Sequence, residues 1–260
     1  YWDRSRSGHG FELQRSGDNW FLLMYTYHPD NSPLWYLSVG KITDGVYTGS
    51  ARQYDYDSGR SPPQQAIADS GGVMSSDFTQ SGNAGENACN DGVDRAGAVS
   101  TALFDFELDG HVDQWCMEPY IFANGTPSPD FTGSWFSSAD PGWGMTVHVQ
   151  GSGEEKSLVV ALYYYDAEQQ PRWALGSVSK QPLEGEVTVN MRQFEGFCLD
   201  CESTSVGSEV VGTVKLTFVT PSNDLAAGNT VDIDVQFSGE AGGSWLRTEA
   251  AIQLLSDPVQ

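Results

Sequence analysis

One stretch of this chain is written twice. Met24-Tyr25-Thr26-Tyr27-His28-Pro29-Asp30-Asn31-Ser32-Pro33-Leu34-Trp35 returns as Leu162-Tyr163-Tyr164-Tyr165-Asp166-Ala167-Glu168-Gln169-Gln170-Pro171-Arg172-Trp173 without a gap, since 163 − 25 and 173 − 35 both give 138. A period that long exceeds a solenoid unit, so it predicts a duplicated domain rather than a stacked array. Three more landmarks recur in the same order. Trp2 with Gly8-His9-Gly10 answers to Trp135 with Gly142-Trp143-Gly144, and Gly45 with Arg52-Gln53-Tyr54 answers to Gly185 with Arg192-Gln193-Phe194. Phe104-Asp105-Phe106-Glu107-Leu108 then Trp115 answers to Ile233-Asp234-Val235-Gln236-Phe237 then Trp245. The 260 residues therefore divide into two domains of about 130 residues, an ordinary domain size and enough for each to bury a core. The boundary falls in the polar, Pro-containing stretch 124–130, giving domains at 1–126 and 127–260.

The local pattern is that of strands. Val231-Asp232-Ile233-Asp234-Val235-Gln236-Phe237 alternates apolar and polar residues, and Phe104, Phe106 and Leu108 alternate with Asp105 and Glu107. A period of two marks a half-buried strand of an antiparallel sheet. Seven such segments are predicted in the second half, at 144–150, 157–165, 172–179, 186–194, 212–220, 230–238 and 244–254, with turn-forming residues between them. No segment sustains a helical period. The expectation is all-β: two tandem duplicated antiparallel β-barrels or β-sandwiches of about seven strands each. Asp30–Pro33 and Glu168–Pro171 are read as hairpin tips. The first half also carries a Gly/Ser/Asn/Asp-rich insertion at 58–97 that contains Cys89. A loop that long is usually functional or mobile, and its cysteine argues that it is held.

Charge narrows the partners. With 13 Lys+Arg against 35 Asp+Glu the net charge is −22, and no basic patch offers counterion release to nucleic acid. An anionic membrane surface would repel such a chain, and no apolar run is long enough for a spanning helix. Aromatic residues at 12% argue for a folded protein. The four cysteines divide two per half and do not align between the copies, so the expected bonds are two local staples, Cys89 with Cys116 and Cys198 with Cys201. Paired cysteines imply an oxidising compartment, hence a secreted or cell-surface protein, with the periplasm as an alternative. The start at Tyr1 reads as a processed or trimmed end. Two competing readings of Cys198-Leu199-Asp200-Cys201 are weaker. A redox motif needs its thiol at a helix start, and a zinc site would have to join cysteines of both halves.

Few residues suggest catalysis. The histidines His9, His28, His111 and His148 are scattered and none is shared between copies, and no nucleophile motif stands near one. Asp105 and Asp234 are carboxylates kept by both copies, the minimum for a glycosidase, but each sits on the polar face of an amphipathic strand. Gly8-x-Gly10 and Gly142-x-Gly144 precede strands, not helices, so they form no phosphate loop. They relieve crowding at a strand start instead. Asn87, Asn90, Asp91 and Asp94 lie in the insertion beside Cys89, and oxygen-rich, Gly-containing loops suit calcium, so these four are its candidate ligands, although their spacing fits no EF-hand and such loops are often merely solvated. No other cofactor is implied. Tryptophans that recur, Trp35/Trp173 and Trp115/Trp245, are assigned to packing. The unshared Trp20, Tyr36, Tyr54, Tyr56 and Trp143 are expected on an exposed platform able to stack on sugar rings.

The Trp…Gly-x-Gly, Tyr-x-Tyr…Pro-x-Trp and Gly…Arg-Gln-[Tyr/Phe] landmarks resemble a β module that recurs in exported proteins of Gram-negative bacteria. The resemblance covers most of both halves, apart from the insertion, and implies export and tandem repetition without an assigned activity. Gly133-Ser134-Trp135-Phe136 also resembles the first strand of lipocalin- or avidin-type barrels. The expected function is a non-catalytic extracellular binding or adhesion module for carbohydrate or another surface protein. The alternatives are a structural or accessory subunit of an extracellular assembly, with self-association through exposed strand edges, and a carboxylate-based glycosidase.

Overall fold

The computed structural model describes residues 1–57, 64–79, 89, 92–95, 98, 100–120, 125, 127, 130–140, 142–153, 156–181, 183, 185–219, 230–238 and 245–254. Among them every regular element is a strand. In the first half these are β1 (Gly10–Ser16), β2 (Asn19–Tyr27), β3 (Pro33–Thr43), β4 (Val46–Asp57), β5 (Gln64–Asp77), β6 (Ala102–Leu108) and β7 (His111–Met117). They form one antiparallel sheet in chain order. The second half contributes β8 (Gly133–Phe136), β9 (Gly144–Gln150), β10 (Lys156–Tyr165), β11 (Pro171–Gln181), β12 (Glu186–Glu195), β13 (Gly207–Val219), β14 (Thr230–Phe237) and β15 (Trp245–Leu254). These close into an eight-stranded barrel in which the short β8 pairs with both β9 and β15. The second sheet thus has one strand more than the seven expected, and it is the Gly133–Phe136 segment that supplies it.

Alternation decides what each strand buries. In β14 Val231, Ile233, Val235 and Phe237 point inward and Asp232 and Gln236 outward; in β6 Phe104, Phe106 and Leu108 are inward and Asp105 and Glu107 outward. The barrel interior is filled by Trp135, Met145, Leu162, Tyr164, Met191, Leu216 and Phe237. The first sheet curls around Phe11, Leu22, Met24, Tyr47, Phe104 and Trp115. Full burial of such a side chain is worth about 1.5–3 kcal/mol.

The two hairpins flagged in the sequence share one register. Tyr25 faces Trp35 across β2–β3, and Tyr163 faces Trp173 across β10–β11. Each tip closes with the same pair of bonds: His28 N–H to the Ser32 carbonyl (2.8 Å) and Asn31 N–H to that of His28 (2.9 Å), then Asp166 N–H to Gln170 (3.0 Å) and Gln169 N–H to Asp166 (3.0 Å). Asn31 and Gln169 hold positive φ at 71° and 65°, a region that Asn tolerates better than Gln.

Two sequence correspondences shift. Trp115 faces Phe104, whereas Trp245 faces Phe237. The cause is the turn: Asp109 (φ 51°) and Gly110 (φ 86°) make a two-residue hairpin from Leu108 to His111, while residues 238–244 separate Phe237 from Trp245. The tryptophans, 11 residues after Phe104 and 12 after Ile233, therefore land on different rungs, though both rings are buried. At the start of the chain Tyr1 and Phe11 exchange backbone bonds of 2.8 and 2.9 Å, and Trp2 bridges Gly10 and Glu118. Trp2 therefore joins the two edges of the first sheet. Tyr1 stands opposite Phe11 as Trp135 stands opposite Met145, so Trp2 matches Phe136 rather than Trp135. Gly10 permits this closure, because a Cβ there would lie 2.7 Å from the Tyr1 carbonyl oxygen.

The chain forms two compact units. The first comprises Tyr1–Tyr54, Ile67–Tyr120 and Glu195–Gly207, and the second Asp55–Ala66, Ile121–Phe194 and Ser208–Gln260. The sheets divide between β7 and β8, but the connection from β12 to β13 is part of the first unit. The sheets lie within 1–126 and 127–260, while Asp55–Ala66 and Glu195–Gly207 each group with the unit of the other sheet.

Candidate functional site

Charged and aromatic residues converge in the first unit, where the Asp3–Gly8 turn, β7 and the Glu195–Gly207 segment meet. Arg4 forms a two-pronged ion pair with Glu118, Nε to Oε1 at 2.5 Å and Nη2 to Oε2 at 2.6 Å. Arg95 lies 3.3 Å from Asp3. The other Asp3 oxygen accepts the Cys116 N–H at 3.1 Å, and Oδ1 accepts from the Ser5 backbone and hydroxyl at 2.8 and 2.7 Å. Asp3, Arg95 and Glu118 are all buried. Buried charges persist only when paired, and removing one partner costs about 3–5 kcal/mol. The Cys89–Cys116 bond (Cα–Cα 5.7 Å) ties the insertion to β7 beside this network.

Next to it stands His9, 3% exposed, with Nδ1 3.1 Å from the Thr26 hydroxyl. Its ring meets those of Phe197, Trp115 and Tyr27 edge-on at 4.5, 5.0 and 5.4 Å. Burial first, and the Arg6 cation second, push its pKa down to about 3 against an opposing backbone contact from Phe197. The ring is neutral near pH 7 and unfit to shuttle protons there. Arg6 lies over Trp115 and Phe197, 5.0 and 5.4 Å from their centroids, and donates to the Leu199 carbonyl at 2.5 Å. Trp115 Nε1 donates to Asp113 at 2.8 Å. Phe197 and Leu199 are buried, and Leu199 packs into the core of the first sheet.

Cys198 and Cys201 are bonded (Cα–Cα 5.0 Å), and the Cys201 N–H closes a turn on the Cys198 carbonyl at 3.1 Å. The pair follows a strand, with no helix start to stabilise a thiolate. Cys198, Asp200 and Cys201 are within metal-ligand reach of one another, but both sulfurs are consumed in the disulfide. The bond staples the turn that presents Phe197 and Leu199.

Of the residues expected on an exposed aromatic platform, two are buried. Tyr36 is 3% exposed and its hydroxyl donates to Asp109 at 2.6 Å. Trp143 is 6% exposed, donates to Asp140 at 3.1 Å and meets Trp245 edge-on. Both belong to the cores of their units. Trp20 and Tyr54 are half-buried, with Tyr54 stacked at 6.4 Å from Trp35. Tyr56 lies on β4, but its side chain falls outside the described residues. Of the proposed calcium ligands, Asn87, Asn90 and Asp91 also lie outside them. Asp94 is exposed, and its carbonyl accepts from Arg4 at 3.0 Å.

The two shared carboxylates sit on outer faces. Asp105 accepts from Gln114 at 2.6 Å. Asp234 accepts from Gln236 at 2.8 Å and from Thr248 at 3.0 Å, and these bonds hold its pKa below the usual range. A carboxylate so held is a poor general acid. The sequence reading missed the exposed apolar residues of the first sheet. Val73 faces Glu107, Glu107 faces Val112 and Val39 faces Ser50, so valines occupy outward positions where polar residues are the rule. Their signal was present as Val at the polar phase of the alternation.

Searches against protein-family models, curated proteins and solved structures found no match. The geometry alone carries the functional reading.

Proposed function

We propose that the chain is a non-catalytic binding module of a secreted or cell-surface protein, and that its ligand is another protein. The observation that carries this is the employment of its convergent ionisable groups. Asp3, Arg4, Arg95 and Glu118 neutralise one another, His9 is held neutral, and Asp234 is held charged by its neighbours. What remains available is the outer wall, acidic overall and dotted with Val39, Val73 and the 75%-exposed Val112. Such a surface suits a partner with basic groups around an apolar patch. A sugar ligand is less well served, because Tyr36 and Trp143 are in the cores. Two disulfides support an oxidising location, and no described helix is long and apolar enough to cross a membrane. The shared hairpin register supports descent of the two halves from one repeated module.

The test is saturable binding of the labelled chain to surface protein of its source. Binding that weakens with salt and with Val73→Asp plus Val112→Asp supports the proposal. A glycan-array signal lost in Trp20→Ala, with no protein partner, overturns it in favour of carbohydrate. Calcium at Asn87, Asn90, Asp91 and Asp94 is a separate proposal, tested by a melting curve with and without chelator.

A further inference from the structure

The Glu195–Gly207 segment behaves as a discrete plug in a shaped seat. It belongs to the first unit although it connects β12 and β13. None of its described contacts there is a ladder of strand bonds. They are two apolar anchors, Phe197 and Leu199, and a set of point contacts. Arg6 reaches the Leu199 carbonyl, His111 lies 3.2 Å from Asp200, and the Gly196 N–H reaches the Asn31 carbonyl at 3.4 Å. The fit depends on missing side chains at two places. A Cβ on Gly196 would lie 2.2 Å from the Tyr27 ring, and one on Gly8 would lie 2.6 Å from Val206. The plug keeps its own shape through the Cys198–Cys201 staple.

We infer that this seat, lined by Arg6, Gly8, His9, Tyr27, Asn31 and Trp115, also accepts the Glu195–Gly207 plug of a second copy, so that the chain self-associates by exchanging it. Exchange makes no new contact; it remakes between copies the contacts already formed within one, which is what makes swapping inexpensive. The covalently attached plug competes at an effective concentration of about millimolar. Exchanged forms therefore populate when that competitor is disabled, or when many chains refold together.

The experiment uses two full-length variants with disulfides intact. Phe197→Asp with Leu199→Asp disables the plug and leaves the seat; Arg6→Glu with Gly8→Leu disables the seat and leaves the plug. Each alone should be a monomer by light scattering, and an equimolar mixture at about 100 μM, a tenth of that effective concentration, should give a one-to-one heterodimer. Native-like far-ultraviolet circular dichroism with only monomers in the mixture overturns the inference. Should either variant fail to fold, the unmutated chain is refolded from guanidinium at rising concentration. A dimer that grows with concentration, and in which an Asn31→Cys plus Glu195→Cys variant refolded in the same way cross-links between copies, supports exchange. No dimer, or a dimer whose cross-link stays within one copy, overturns it.

Discussion

Acid should loosen the first unit through His9 in particular. The ring is 3% exposed and its pKa is pushed down to about 3, whereas an unfolded histidine titrates near 6.5. Between those values the unfolded chain carries one proton more than the folded one, so stability falls as pH drops. The slope is about 1.4 kcal/mol per pH unit, and at pH 4.5 the loss relative to pH 7 reaches about 2–3 kcal/mol. That pH lies above the folded value, so the figure depends little on where the folded titration sits. The 35 carboxylates and three other histidines titrate as well, so the quantity to measure is a difference. Urea unfolding of the unmutated chain and of His9→Asn, which keeps a partner for Thr26, is followed at pH 7 and pH 4.5. The unmutated chain should lose about 2–3 kcal/mol more than the variant. Equal losses in the two proteins would refute the assignment of His9 as a buried neutral ring. Its imidazole resonances should likewise stay unshifted from pH 8 to 4.5.

Glu118→Gln takes the carboxylate from Arg4 and leaves Arg95 with Asp3 alone, and should cost about 3–5 kcal/mol in denaturant unfolding at pH 7, whereas Asp105→Asn on the exposed face of β6 should stay within about 0.5 kcal/mol. Replacing Cys89 and Cys116 by Ser opens a ring with a sequence separation of 27 and should cost about 3–4 kcal/mol; the Cys198/Cys201 pair, separated by 3, should cost about 2 kcal/mol. A measured order opposite to that one would mean that the short staple does more than restrict the unfolded chain. Gly10→Val should prevent Trp2 from bridging β1 to the end of β7, and amide exchange of Phe11 and Glu118 should accelerate together; acceleration of Phe11 alone would contradict a single closing bridge.

The hairpins and the strand alternation could be read from the chain because they are local. Pro33 and Pro171 sit just past their turns, and the tyrosines before and tryptophans after them fall in one register by spacing alone. The aromatics misled for a different reason. Tyr36 and Trp143 were set apart because the other copy lacks them, yet the matching positions are also buried: Ala174 opposite Leu162 answers to Tyr36 opposite Met24, and His9 answers to Trp143. Inward position is what recurs. The residue filling it varies with the volume left by its neighbours, as cores tolerate when total packing is kept. Absence from the second copy is therefore no sign of exposure.

The exchanged connection was invisible for a third reason. Phe197 and Leu199 gain their burial from residues that precede them by more than eighty positions, and no periodicity records such a contact. Only the glycines hint at it, since Gly8 and Gly196 sit where a side chain would strike Val206 and Tyr27. The cysteines acquire their meaning in the same way. They failed to align between the halves, and each bond serves a feature that its own half alone possesses. Cys89–Cys116 ties down the insertion, and Cys198–Cys201 stiffens the plug. Cys198–Cys201 thus reinforces a segment that no described ladder of strand bonds holds, whereas the stretch 58–97, read from the sequence as an inserted loop, also contributes β5, whose Gly72–Asp77 pair with β6.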